Sequence, residues 1–140
     1  MPRVPVPPIV DEFLRQPNPA VVATLRPDGS PHSVATWYDW DDGRVLLNMA
    51  ESRLRLRHMR RDPRVALTVL SDGDWYRHVS LLGRVVAIEP DVDLAGIDRL
   101  ARRYTGEPFG TRAARVNAWV EIDIWHGWEG SGPWPPPGTV

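Results

Sequence analysis

Residues 51–63 read ESRLRLRHMRRDP and crowd Arg53, Arg55, Arg57, Arg60 and Arg61 into one short stretch of a 140-residue chain whose formal net charge is −1. Guanidinium groups present planar forks of N–H donors that grip phosphate and carboxylate oxygens in pairs. The first chemistry the sequence suggests is therefore anion binding. Charge alone leaves three readings open: a small-molecule anion site, a basic stripe for nucleic acid, and a solvated helix laced with ion pairs. Residues 51–64 carry a local balance of +4, but the near-neutral whole argues against a protein built to coat a polyanion.

The remaining reactive residue types narrow the field. All 17 basic residues are arginine and there is no cysteine. A Schiff-base lysine, a Walker lysine, a thiolate nucleophile and a thiolate metal ligand are all excluded. The four histidines, His32, His58, His78 and His126, show no H-x-x-x-H or H-E-x-x-H spacing, so no metal site is expected. DGS and EGSG read as ordinary turns and not as a nucleophile elbow. Asp39, Asp41 and Asp42 more simply build a hairpin turn than an acid/base pair.

These residues must be held by something. Pro27-Asp28-Gly29, Asp41-Asp42-Gly43 and Ser71-Asp72-Gly73-Asp74 punctuate runs rich in β-branched and aromatic residues. The runs are 20–25, 32–40, 44–49, 64–70, 75–88 and 115–125, six strands joined mostly by short turns. Helices are expected at 9–15, at 91–104 with Leu94, Ile97, Leu100, Ala101 and Tyr104 on one face, and over the arginine run. There Ser52 is the expected cap, arginine, leucine and methionine favour helix, and Asp62-Pro63 ends it. Leu56 and Met59 then share the buried face, and Arg53 and Arg55 fall in the first turn, where free N–H groups already attract anions.

The length suits one domain over residues 1–140, with proline-rich arms at about 1–8 and 131–140. No run approaches the apolar length a membrane span needs, and the start is too broken by proline for a signal-peptide core. A cytoplasmic location is the expectation.

Several segments, in order, resemble one known family. AVVATLRPDGSPHSVATWYDW is similar to its opening hairpin, and RVLLNMAESRLRLRHMRRDPRVAL to its third strand running into a basic helix. The Trp75 strand leading through Gly83 to VVAI, and RVNAWVEIDIWHGW, resemble its later strands. The family is the flavin/deazaflavin oxidoreductases of pyridoxamine 5′-phosphate oxidase type, and the likeness spans residues 13–128. It implies a mainly β fold with α, a six-stranded antiparallel split β-barrel with short flanking helices, assembled as a homodimer.

Within that superfamily the sequence looks most like the actinobacterial branch that binds coenzyme F420, a deazaflavin with a phosphodiester-linked acidic tail. The resemblance implies that Arg53 and Arg55 grip the tail, with Asn48, Met49, Ala50, Glu51 and Ser52 contacting it on the way into the helix. Arg55 stands where relatives usually have lysine, and His58 where they commonly have asparagine. Ser33, Val34, Ala35, Thr36 and Trp37 would line the ring, and Trp75 would reach it from the partner subunit. The implied activity is hydride transfer from reduced F420 to an unsaturated small-molecule substrate, with no nucleic-acid or membrane partner and no metal. An FMN-binding oxidoreductase of the same fold and a non-catalytic F420 carrier or sensor are the alternatives. The tail after Trp128 lacks the basic residues that a pyridoxamine 5′-phosphate oxidase uses for its own substrate.

Overall fold

The computed structural model describes residues 3–136, so parts of both proline-rich arms, 1–2 and 137–140, lie outside the described residues. Helix α1 (Pro8–Arg15) opens the chain, with prolines at its first positions where a missing N–H costs nothing. Strands β1 (Ala20–Leu25), β2 (Pro31–Thr36), β3 (Asp39–Asp41) and β4 (Arg44–Ala50) follow. Helix α2 (Leu54–Arg61) leads to β5 (Arg64–Ser71) and the long β6 (Asp74–Pro90). A short 3-10 turn (Val92–Leu94), helix α3 (Ala95–Thr105), β7 (Arg115–Glu129) and β8 (Gly132–Pro133) complete it.

All strand pairs are antiparallel, and the path runs β2-β1-β5-β6-β7-β4-β3 with β8 added to β7. The architecture is the expected mainly β one with three α-helices, but the sheet has eight strands instead of six and its path has two free ends. Laid flat, the path would set β1 and β3 five strand spacings apart, roughly 24 Å. Yet α1 packs against β3 and ends only four residues before β1. Residues of β1 (Ala20, Val22), β5 (Leu67, Val69), β7 (Val120), β4 (Val45, Leu47) and β3 (Trp40) share one buried core with Val10, Phe13 and Leu14 of α1, so the sheet coils around this helix.

The strand count differs because HSVATWYDW is two strands, β2 and β3, and because Gly132–Pro133, inside the expected C-terminal arm, forms the short β8. Trp37 and Tyr38 leave the ladder between them. Tyr38 turns fully inward, and its hydroxyl donates to the carbonyls of Leu14, at 2.8 Å, and Gln16, at 3.1 Å. Trp37 turns outward to stack on Tyr104 with ring centroids 5.4 Å apart and planes within 8°. Helix α3 also differs from the continuous 91–104 segment expected. Asp93 and Leu94 both have left-handed backbone, φ 56° and 57°, so the chain turns before the helix begins.

Helix α2 begins where the arginine run was expected to turn helical, but Ser52 does not cap it. Arg53 occupies the N-cap position and no side chain bonds the free N–H groups of the first turn. Its C-terminal stop is as read: the Asp62 N–H donates to the His58 carbonyl at 2.8 Å, and Pro63 cannot continue the helix. Leu56 and Met59 enter the core beside Val22, Leu67, Leu81 and Val120.

Close strand approach fixes one glycine. At the irregularity between Leu82 and Gly83, a Cβ on Gly83 would overlap the carbonyl oxygen of Glu121 on β7. Gly83→Ala should cost about 1–3 kcal/mol, the usual range for overpacking. Gly110→Ala, where nothing lies within 4 Å, should stay within about 0.5 kcal/mol of wild type. Urea denaturation of the two variants side by side checks this.

Candidate functional site

A cleft of about 680 Å³ opens where β2, β4, α2, α3 and the start of β7 meet. Its apolar wall comes from α3 and the loop that follows: Ile97, Leu100, Tyr104 and Phe109. Trp37 completes that wall, stacked on Tyr104 and edge-on to Phe109 at 6.2 Å. Asn48, Arg55 and Arg115 also line the cleft. Such a combination of aromatic and cationic groups suits a planar ligand with an anionic appendage.

A buried carboxylate organises the floor. Asp91, 7% exposed, accepts from the backbone N–H of Gly96 at 2.7 Å and of Ile97 at 2.9 Å, so it satisfies the first turn of α3. The Asn48 amide donates to Asp91 at 2.9 Å and to Asn117 at 2.7 Å. With its amide hydrogens so committed, Asn48 presents its oxygen outward, and Arg115 donates to it through Nε at 2.7 Å. Arg115 also lies over the Phe109 ring at 4.9 Å.

Arg55 is the exception to this satisfaction. Its Nε is buried and has no hydrogen-bond partner among the described residues, an arrangement that costs on the order of 1–3 kcal/mol. Burial, then the charges of Arg53 and Arg115, pull its pKa below the usual guanidinium value. Arg115 is lowered likewise, first by burial and then by Arg53, with Asp91 opposing. The ion pairs among the described residues include none of these three arginines. A concentration of unneutralised guanidinium charge on a cleft wall fits a phosphate- or carboxylate-bearing ligand.

The residues singled out from the sequence divide into two groups. Ala35, Thr36, Trp37, Asn48 and Arg55 come together on the cleft. Arg53 sits exposed at the N-cap of α2, close enough for its charge to bear on both Arg55 and Arg115. Glu51 and Ser52 are exposed in the turn before it, and Ala50 is half-buried. Met49 is wholly buried in the core, and Val34 packs against that core. Ser33 is exposed on β2. Trp75 stands at the β5–β6 hairpin, 65% exposed and stacked on Tyr76 at 4.5 Å.

His58 is not on the cleft wall. It is 4% exposed on the inner side of α2, its Nδ1 2.8 Å from the Thr24 hydroxyl and its ring edge-on to His32 at 5.4 Å. Arg57, Arg60 and Arg61 are exposed. Arg115, Tyr104 and Phe109 were not read from the sequence as site residues. Tyr104 showed only as part of an amphipathic face, and Arg115 reaches the site solely because β7 pairs with β4, Arg115 opposite Ala50. No short-range pattern carries that pairing.

Comparison with known proteins agrees with this architecture. The family model described as pyridoxamine 5′-phosphate oxidase matches residues 6–128. A solved structure titled F420 reductase is 32% identical, with a TM-score of 0.78, covering 86% of this chain and 98% of its own. A conserved hypothetical protein of Mycobacterium tuberculosis is 25% identical with a TM-score of 0.73, covering 91% and 86%. A FAD-binding protein of Mesorhizobium loti shares the fold at 22% identity and a TM-score of 0.65, covering 94% and 100%.

The placement of His58 has a pH consequence. Burial, then the charges of His32, Arg26 and Arg57, hold its pKa below the ordinary 6.5. The folded protein therefore keeps this ring neutral where the unfolded chain takes up a proton. Stability is full above about pH 6.5 and falls as pH drops from there toward the folded value. Urea midpoints at pH 7.5 and 5.5 should show this loss in the wild type and a smaller loss in His58→Asn; equal losses would remove His58 as its source.

Proposed function

Because this chain belongs to the pyridoxamine 5′-phosphate oxidase family, we propose that it is an oxidoreductase that uses coenzyme F420. Its reaction is hydride delivery to an unsaturated or conjugated organic acceptor, performed by a homodimer. The observation that carries the reading is Arg55: a guanidinium whose buried Nε lacks a partner, set on the wall of a cleft beside two further unpaired arginines. The likeness to a protein titled F420 reductase favours a deazaflavin over a flavin. Bound in reduced form, such a cofactor supplies the hydride itself, which leaves the protein the tasks of binding, orientation and exclusion.

Each task has residues in this chain. Arg53 and Arg55, at the start of α2, hold the anionic tail where the free N–H groups of the helix add to the attraction. Strand β2 ends the sheet path, so its outer edge is unpaired among the described residues and offers backbone donors and acceptors of residues 33–36 to a heterocycle. Trp37, Tyr104, Phe109, Ile97 and Leu100 shield the cleft from water. Tyr104 stays protonated there, since burial raises its pKa, and its hydroxyl donates to the Asn18 carbonyl at 2.6 Å.

Equilibrium binding of F420 and FMN to the purified protein, at two salt concentrations, tests the assignment. Tighter and salt-sensitive F420 binding is expected; preference for FMN, or binding of neither, overturns it. Turnover with a panel of conjugated acceptors separates an enzyme from a carrier. Arg53→Ala with Arg55→Ala should weaken F420 binding by roughly 1.5–3 kcal/mol for each charge-assisted bond lost. Thermal melting should stay at or above the wild-type value, because an unpaired buried charge is removed. Sedimentation at micromolar concentration should give a dimer.

A further inference from the structure

The arginines read from the sequence belong to one corner, but the cleft has a guanidinium on a different strand. Arg115 opens β7, and its Nε is taken by the Asn48 oxygen while its planar face rests on Phe109. The Nε bond is the one hydrogen bond its side chain makes to protein among the described residues, so the terminal N–H groups remain free for a ligand. The support beneath it is continuous: Asn48 is fixed by Asp91 and Asn117, and Asp91 by the N-terminus of α3. Gly96 keeps that support compact, since a Cβ there would overlap the Asn117 amide. Asp72 is the acidic residue on the cleft wall, and it pairs with none of the three arginines.

We infer that Arg115 is a second, separate anion grip, and that together with Arg53 and Arg55 it selects ligands bearing two anionic groups over ligands bearing one phosphate. The inference rests on the cofactor reading above and adds to it the residue that sets specificity. Arg53 and Arg55 at the start of α2 take one group; Arg115, anchored through Asn48 on the β4–β7 ladder, takes another. The phosphodiester and carboxylates of a deazaflavin tail satisfy both, whereas the single phosphate of FMN satisfies the α2 corner alone. Besides burial, the charges of Arg53 and Arg115 lower the pKa of Arg55, and the charge of Arg53 lowers that of Arg115, so the three guanidinium groups lie within electrostatic reach of one another. Unlike the exposed arginines of α2, Arg115 is prepositioned, so little side-chain freedom is lost when a ligand arrives.

The test is Arg115→Gln, measured by equilibrium binding of F420 and of FMN across a salt series. F420 affinity should fall by about tenfold to a hundredfold, the weight of one charge-assisted bond, with a shallower salt dependence, while FMN affinity changes by less than about threefold. Arg115→Lys keeps the charge and should recover part of the loss. Unchanged F420 affinity, equal losses for both ligands, or no recovery with lysine would overturn the inference. Pyrophosphate supplies an arm independent of the cofactor reading. It should raise the melting temperature of the wild type more than that of Arg115→Gln even if neither F420 nor FMN binds, and equal shifts would count against Arg115 as a grip.

Discussion

The Asp91 carboxylate is the interaction on which the cleft depends. It replaces four water contacts with two backbone N–H groups of α3 and the amides of Asn48 and Asn117, the last at a long 3.5 Å. Burying a carboxylate is tolerable only when its lone pairs are used in this way. The consequence is that one side chain fixes three things together: the start of α3, the orientation of Asn48 and, through Asn48, the Arg115 fork. It also holds the two left-handed residues that follow it. Asp93 and Leu94 would each prefer another backbone region, at a cost of the order of 1–3 kcal/mol apiece, and the turn they make is what lets Asp91 fold back onto the helix it precedes.

The start of α2 shows what happens when polar groups are left unsatisfied. Helix α2 breaks two local rules: it has no side-chain cap, and no acidic residue in its first turn offsets the dipole. Arg55 is half-buried there without a partner for its Nε. Conflicts between local preference and global fold tend to gather where function is performed. By contrast, three arginines of α3 and its surroundings are conventionally paired: Arg99 with Asp39 at 2.5 Å, Arg103 with Asp39 at 3.4 Å and Arg112 with Asp98 at 2.8 Å. Arg53, Arg55 and Arg115 at the cleft enter none of the ion pairs among the described residues.

How much of this was legible follows from the range over which each signal acts. The turn at Pro27-Asp28-Gly29 and the alternation of AVVATL mark β1 with its observed bounds, because hairpin chemistry is local. The arginine helix was also local, and its register put Leu56 and Met59 inward as read. The break at Trp37-Tyr38 was not visible, since it arises from partners far along the chain: Tyr104 for one ring, and the end of α1 for the other hydroxyl. His58 looked like a neighbour of the arginines by sequence position, yet three residues on from Arg55 it turns toward Thr24 on β1. Arg115 is the clearest case of a site residue carried by topology alone.

The walls of the cleft are guanidinium, amide, carboxylate, aromatic ring and aliphatic chain. In a protein without cysteine or lysine, they include neither a thiol nor a primary amine. Electron-poor alkenes conjugated to carbonyl groups are the natural recipients of hydride, and they are also alkylating agents that consume those two nucleophiles. Under the proposed function, a cleft furnished in this way holds such an acceptor through repeated encounters without adding to it, so the same composition that restricts the protein's own chemistry protects it from the acceptor's.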